Sequence, residues 1–274
     1  MTRILAIANQ KGGVGKTTTA VNLAASLAVA ERRTLLIDLD PQGNATSAFG
    51  VDKAGLEAQV YHSLVDGLPL AAVTRATEIP FLEIAPSGPD LAGAEVELVP
   101  VVARERRLQA ALAAIKDRYE FIIIDCPPSL GLLTLNALTV ADAVIVPLQC
   151  EFYAMEGMGH LMSTIELVKN HLNPALQLDG IVLTMYDKRN KLSLQVETET
   201  TNYFGRQVFE TRIPRNVRLS ESPSFGKPAV LYDVTAPGTK AYLDLASELI
   251  DRLHRQPKPT SDQSSKNPNL AGAA

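Results

Sequence analysis

Short apolar runs recur along the chain at RILAIA (3–8), TLLIDLD (34–40), FLEIAP (81–86), FIIIDCP (121–127), AVIVPL (143–148), GIVLTMY (180–186) and QVFETRIP (207–214). Each has the length of a strand, and in most of them apolar residues follow one another instead of alternating with polar ones. A strand that is apolar on both faces has to be covered on both faces. Between the runs lie stretches of helical periodicity, among them 16–31, 104–118, 153–171 and 239–255. Alternation of the two patterns predicts the α/β class: one doubly wound, mostly parallel sheet of about seven or eight strands flanked by helices. In the last helical stretch Tyr242, Leu245, Ala246, Leu249 and Leu253 form one stripe, while Asp244, Glu248 and Asp251 interrupt the polar side. A membrane-surface helix would carry a Lys/Arg-rich polar face, so this helix is expected to pack on the sheet. The predicted domain covers residues 1–256. The remaining 257–274, rich in Pro, Ser and Asn, are expected to be a disordered polar tail.

Composition narrows the class only modestly. The 274 residues are 46% hydrophobic and 20% charged, as in ordinary soluble globular proteins. No apolar run approaches the roughly 20 residues of a membrane-spanning helix. The start of the chain enters a strand with no signal-peptide pattern, so no stable membrane association and a cytoplasmic location are expected. Cys126 and Cys150 each follow an apolar run and are expected to be two small buried side chains without a disulfide. His62, His160, His171 and His254 are scattered, without metal-ligand spacing.

Charge changes the picture more. The chain carries a net −4, yet Lys188–Lys227 holds eight Lys/Arg against four Glu, a local +4 that leaves −8 elsewhere. An arginine-enriched segment of this kind can contact nucleic-acid phosphates without reading bases, giving weak and salt-sensitive binding.

The stretch NQKGGVGKTT (9–18) follows the first predicted strand and opens the first predicted helix. In a phosphate loop of the form G-x-x-x-x-G-K-[ST], backbone amides and a helix N-terminus surround the phosphates, the lysine neutralises them and the hydroxyl holds Mg²⁺. Gly15, Lys16 and Thr17 fit this pattern, but Gln10 stands where the leading glycine belongs, and Lys11 is a lysine in excess of what one site needs. The second strand ends in Asp38 and Asp40, which period-2 alternation sends to one face. They could hold Mg²⁺ waters, position the water that attacks the γ-phosphate, or in part cap the turn that Pro41 and Gly43 make. Asp125, after four apolar residues, has the form of a Walker B aspartate that contacts Mg²⁺ through water.

KGGVGKTT with Lys11, DLDPQGNAT, IIIDCPPSLG, TMYDKRN and IPRNVRLSESPSFGKP, in this order, resemble the ParA/Soj family of chromosome and plasmid partitioning ATPases, of the deviant Walker A class. The resemblance spans about residues 2–253. It implies an ATP- and Mg²⁺-dependent sandwich homodimer in which Lys11 of each subunit reaches the phosphates bound by its partner. Gly12, Gly13, Val14, Gly15, Lys16, Thr17 and Thr18 would cradle the phosphates within one subunit, with Thr17 the direct Mg²⁺ ligand. Asp40 would support hydrolysis, Pro214 and Asn216 would hold the adenine, and Arg189 and Arg218 would contribute to non-specific binding of double-stranded DNA. A ParB/Spo0J-like centromere-binding partner would stimulate hydrolysis, and the location would be the nucleoid.

Three other readings share parts of these motifs. A MinD-like division-site ATPase should end in a basic amphipathic helix, and this chain ends in a polar tail. An iron–sulfur reductase could use two cysteines per subunit, but Cys126 directly follows Asp125 at a strand end, a poor place from which to face a partner. A small-molecule kinase or ligase on the same fold would need an acceptor pocket, for which the sequence offers no candidate.

Overall fold

The computed structural model describes residues 2–151 and 154–255. Eight strands run in chain order as β1 (Arg3–Ile7), β2 (Thr34–Asp38), β3 (Arg75–Ala76), β4 (Leu82–Ala85), β5 (Phe121–Asp125), β6 (Ala143–Gln149), β7 (Gln177–Tyr186) and β8 (Val208–Pro214). They form one sheet in the order β3-β4-β2-β5-β1-β6-β7-β8. All neighbours are parallel except the short β3, which pairs antiparallel with β4.

The continuous apolar runs divide by alternate residues between two cores. Ile4 and Ala6, Leu35 and Ile37, and Ile122 and Ile124 point to one face. There they meet Leu133, Ala137 and Leu138 of the helix Leu132–Val140 and Leu161, Ile165 and Val168 of the helix Ala154–His171. Leu5 and Ile7, Leu36 and Ile123 point to the other, against Leu23 and Leu27 of the helix Lys16–Val29 and Tyr242, Leu245 and Leu249 of the helix Pro237–Arg255. Burying each of these large aliphatic side chains stabilises the fold by about 1.5–3 kcal/mol.

The C-terminal helix therefore packs on the sheet through the stripe read from the sequence. Its Glu248 has a second task at the open edge of β8. The Glu248 carboxylate accepts the amides of Glu210 (2.7 Å) and Thr211 (2.8 Å), and Arg252 donates to the Val208 carbonyl (2.8 Å). Side chains thus occupy backbone groups that would otherwise be free to pair with another strand.

The expected helix over 104–118 is a correction. A 3-10 turn (Arg104–Arg106) follows Ala103 at φ 55°, only Arg107–Leu112 is α-helical, and a second 3-10 turn covers Lys116–Arg118. Asn136 of the neighbouring helix supplies the reason. Its side chain accepts from the Leu108 amide (3.0 Å) and donates to the Arg104 carbonyl (2.9 Å), the two groups that would bond each other in a continuous helix. The two-residue β3 was not expected; both residues are exposed and leave no apolar signal. The tail expected over 257–274 lies outside the described residues. Among the described residues no helix is long and apolar enough to cross a membrane.

Candidate nucleotide site

The strands β2, β5, β1 and β6 are consecutive in the sheet, and β1 is flanked by β5 and β6 where the chain order reverses. Parallel α/β sheets bind ligands outside the carboxyl ends of their strands at such a point. Here the register places Ile7, the last residue of β1, beside Asp125, and Asp125 beside Asp38.

The loop that follows β1 is built for close backbone approach. Gly13 and Gly15 take φ of +76° and +91°, a conformation that a side-chain-bearing residue adopts only with strain. Gly12 and Gly13 are exposed. Val14 is buried, and its carbonyl accepts the hydroxyl of Thr184 on β7 (2.8 Å). At the other end of the loop, Asn9 accepts the Lys11 amide (3.0 Å) and donates to the Pro147 carbonyl on β6 (2.8 Å). The first bond of the following helix joins the Thr19 amide to the Gly15 carbonyl (2.8 Å). The amides of Lys16, Thr17 and Thr18 therefore stand at an open, acid-free helix start, the local geometry that binds anions.

The two lysines of the loop have separate surroundings. Lys16 is buried, and its ammonium donates to the Lys11 carbonyl (2.8 Å), curling over the loop. Burial lowers its pKa, opposed mainly by the charge of Asp125. Lys11 extends a half-exposed side chain to Glu151, just past β6, with which it forms an ion pair.

Three aspartates complete the cluster. Asp38 and Asp125 are fully buried, and Asp40 retains 8% of its exposure. Asp38 accepts the Asp40 amide (3.1 Å) on one oxygen and the Thr46 amide (2.8 Å) and hydroxyl (2.7 Å) on the other. Burial lifts its carboxyl to about 6, against these hydrogen bonds. Asp40 accepts the Gln42 amide on its carboxylate (2.9 Å). In Asp125 both carboxylate oxygens are buried with no hydrogen-bond partner among the described residues. Burial and the adjacent Asp38 push its carboxyl well above the ordinary range, and Thr17 and Lys16 work the other way. Unpartnered buried carboxylate oxygens beside a threonine hydroxyl and a phosphate loop fit a hydrated divalent cation, since Mg²⁺ is commonly held by one or two carboxylates, waters and substrate phosphates. Among the described residues no group of three or more His, Cys, Asp or Glu is placed to hold a metal.

A pH dependence follows from Asp38. Its carboxyl binds a proton more tightly in the folded chain, at about 6, than at the ordinary 3.8. The stability this contributes is present below about pH 4 and is lost as the pH rises to about 6. In urea denaturation of the nucleotide-free protein, wild type should lose stability relative to Asp38→Asn across that window. A difference that stays constant with pH would refute the assignment.

The remaining predicted residues lie on the far side of β6. Pro214 ends β8 opposite Tyr186, and Asn216 caps the short helix Val217–Glu221 by accepting the Arg218 amide (3.1 Å). Asn216 and Arg218, assigned to different tasks from the sequence, line one open cavity of about 670 Å³. Arg189 makes a two-pronged contact with Asp187 (3.0 and 2.9 Å), and Arg218 contacts Glu221 (3.0 Å) and Asp233 (3.4 Å). Neither guanidinium is free, whereas the exposed Lys188, Lys191, Arg215 and Lys227 have no ion pair among the described residues. Both cysteines are buried free thiols, and the Cys126 sulfur is turned toward the Ile124 carbonyl. That orientation gives no surface from which to share a cluster with a second chain.

The family model described as an AAA domain matches residues 2–178. A Myxococcus xanthus protein named chromosome partitioning protein ParA is 56% identical over 250 residues, covering 91% of this chain and 88% of its own. The Bacillus subtilis sporulation initiation inhibitor protein Soj is 55% identical over 249 residues, covering 91% of this chain and 98% of its own. This chain belongs to the ParA/Soj family.

Membership makes it a P-loop ATPase. Among solved structures it resembles a Mycobacterium smegmatis cobyrinic acid a,c-diamide synthase (TM-score 0.81, 39% identity, covering 93% of this chain and 96% of that one), described with bound ADP and magnesium. The Pyrococcus furiosus cell division ATPase MinD is more distant (TM-score 0.76, 26% identity, covering 92% and 100%). In this member of the ParA/Soj family, Asn9, Thr184 and Glu151 are the residues around the loop that motif reading overlooked. Asn9 and Thr184 lie inside the quoted stretches NQKGGVGKTT and TMYDKRN but had no role assigned, and Glu151 lies in no motif.

Proposed function

We propose that this protein is an ATP-driven partitioning switch. ATP with Mg²⁺ occupies the loop, two subunits close face to face over the nucleotides, and the dimer binds double-stranded DNA without sequence preference. Hydrolysis, stimulated by a ParB/Spo0J-like partner, then dissolves the dimer and releases the DNA of the nucleoid. The observation that carries this reading is the separation of the two lysines. Lys16 is buried over its own loop, and Lys11 is directed outward to Glu151 on a half-exposed side chain, where a second subunit could recruit it.

The phosphates would rest on the amides from Gly12 to Thr18, with Lys16 neutralising them. Mg²⁺, when bound, supplies positive charge to the β- and γ-phosphate oxygens; Thr17 would ligate it directly, and Asp125 and Asp38 through water. Asp38 has both oxygens engaged by the turn, so its main duty is to shape that turn, and Asp125 is the freer of the two. Asp40 would orient the attacking water, and Pro214 and Asn216 would border the adenine.

Cations around the carboxyl ends of β7 and β8 support the DNA step. The Arg215 amide bonds the Tyr186 carbonyl (3.4 Å), which brings the 187–191 and 215–218 segments side by side. The ion pairs of Arg189 and Arg218 are exposed, and such pairs contribute little, so phosphates can compete for both arginines. Lys188, Lys191 and Arg215 add cations that have no ion pair among the described residues. Dimerisation doubles this surface and makes DNA affinity depend on ATP.

Binding of a duplex of arbitrary sequence should require ATP and fall steeply as salt is raised. Arg218→Glu should weaken it without changing nucleotide binding. Equal binding with ATP, ADP and no nucleotide would leave only a generic ATPase.

A ligase reading, drawn from the name of the M. smegmatis structure, would need an acceptor cavity beside the loop. The cavity of about 1260 Å³ seen here lies instead between β8 and the C-terminal helix, lined by Phe209, Thr211 and Glu248.

A further inference from the structure

A buried hydroxyl network connects the turn after β2 to the end of β4, and the phosphate loop takes no part in it. Thr46, in the helical turn Asn44–Ser47, is fully buried. Its hydroxyl donates to Asp38 (2.7 Å) and accepts the amide of Ser87 (2.8 Å). Ser87, also fully buried, donates its own hydroxyl to the Asp40 carbonyl (2.8 Å), which also accepts the Gly43 amide (2.8 Å). The Asp40 amide in turn donates to Asp38 (3.1 Å). Gly43 sits at φ +61°, and a Cβ there would come within 2.9 Å of the Ser87 carbonyl oxygen. The backbone of Asp40 is thus held at both its amide and its carbonyl, while its carboxylate accepts the Gln42 amide within the same turn and no other hydrogen bond among the described residues.

We propose that Thr46 and Ser87 are positioning residues for hydrolysis, holding the Asp40 turn in place from the end of β4. The proposal rests on the reading of Asp40 as the residue that orients the attacking water. A hydroxyl is the group this geometry demands, because at Thr46 one atom must both donate to a carboxylate and accept from an amide. Valine has the same shape and can do neither. It would leave the buried Ser87 amide without a partner and Asp38 with one donor fewer. Serine preserves both bonds. Catalytic geometry tolerates little displacement, since a shift of about 1 Å can cost about 10²-fold in rate.

The test is steady-state ATP hydrolysis by the full-length chain, with ATP-induced dimerisation followed by sedimentation. Thr46→Val and Ser87→Ala should each lower kcat by about 10- to 100-fold, while KM for ATP and the ATP-induced dimer stay near wild type. Thr46→Ser should restore most of the rate. Should Thr46→Val fail to fold, Ser87→Ala, which removes only a side-chain-to-carbonyl bond, carries the test. In an Asp40→Ala background, Ser87→Ala should cause no further loss, because the residue it positions is gone. Wild-type kcat in both single variants, a Thr46→Ser as slow as Thr46→Val, or an additive loss in the double variant would each overturn the proposal. Asp40→Asn, measured alongside, separates the two layers. If it keeps its turnover, the reading of Asp40 fails; if it is inactive while Thr46→Val and Ser87→Ala are unimpaired, only the positioning role fails.

Discussion

Lys11→Ala should bind ATP almost as well as wild type, form no ATP-induced dimer, and hydrolyse ATP at least about 10³-fold more slowly, the range lost when a positive group supplied in trans is removed from phosphoryl transfer. Binding survives because the loop does not depend on this side chain. Asn9 holds the amide of residue 11, Thr184 holds the Val14 carbonyl, and Lys16 bonds the carbonyl of residue 11. All three contacts use backbone atoms that alanine retains. What disappears is a half-exposed ammonium that, among the described residues, pairs with Glu151. A fluorescent ATP analogue measures the first property and sedimentation with ATP against ADP measures the second. A stable ATP-dependent dimer of the variant would show that Lys11 acts inside its own subunit. Equal dimerisation of the wild type with ATP and ADP would remove the switch itself, because a ligand shifts an equilibrium only by its differential affinity.

Asp40→Ala should do the opposite, keeping the ATP-bound dimer while lowering turnover by about 10²- to 10⁴-fold, as expected for loss of a group that positions or accepts a proton from the attacking water. Asp40 lies in the same cluster as Lys16 and Asp125, yet its backbone is fastened independently of the loop through Asp38 and Ser87. Removing its carboxylate therefore leaves the phosphate-binding amides in place. With product formation blocked, the dimer should stay on DNA for as long as ATP is present. Phosphate release, together with dissociation from a DNA-coated surface, measures both effects. Turnover within a few-fold of wild type would shift the task to another residue, with Asp125 next in line because its oxygens are unengaged.

Much of the fold could be read along the chain. Continuous apolar runs imply strands covered on both faces, and each run divided between the two cores as period-2 geometry requires. The glycines of the loop were also legible, because close backbone approach and φ of +76° and +91° leave few other choices. The stretch over 104–118 was misread because Asn136, distant in sequence, takes the very amide and carbonyl that the local pattern assigns to each other.

Local periodicity and composition determine whatever depends on neighbours a few residues apart: strand and helix faces, the phosphate loop, and the aspartates at strand ends. Partnership across the sheet has no such record. The meeting of Lys11 with Glu151, the support of Val14 by Thr184 and the tethering of Asp40 by Ser87 join residues that only the strand order brings together. The same holds for charge. The segment 188–227 carries an excess of four positive charges, but which cations remain free depends on the carboxylates that folding sets beside them. A hydrogen bond or ion pair depends on distances of a few ångströms, and along the chain those distances are undefined until the sheet has formed.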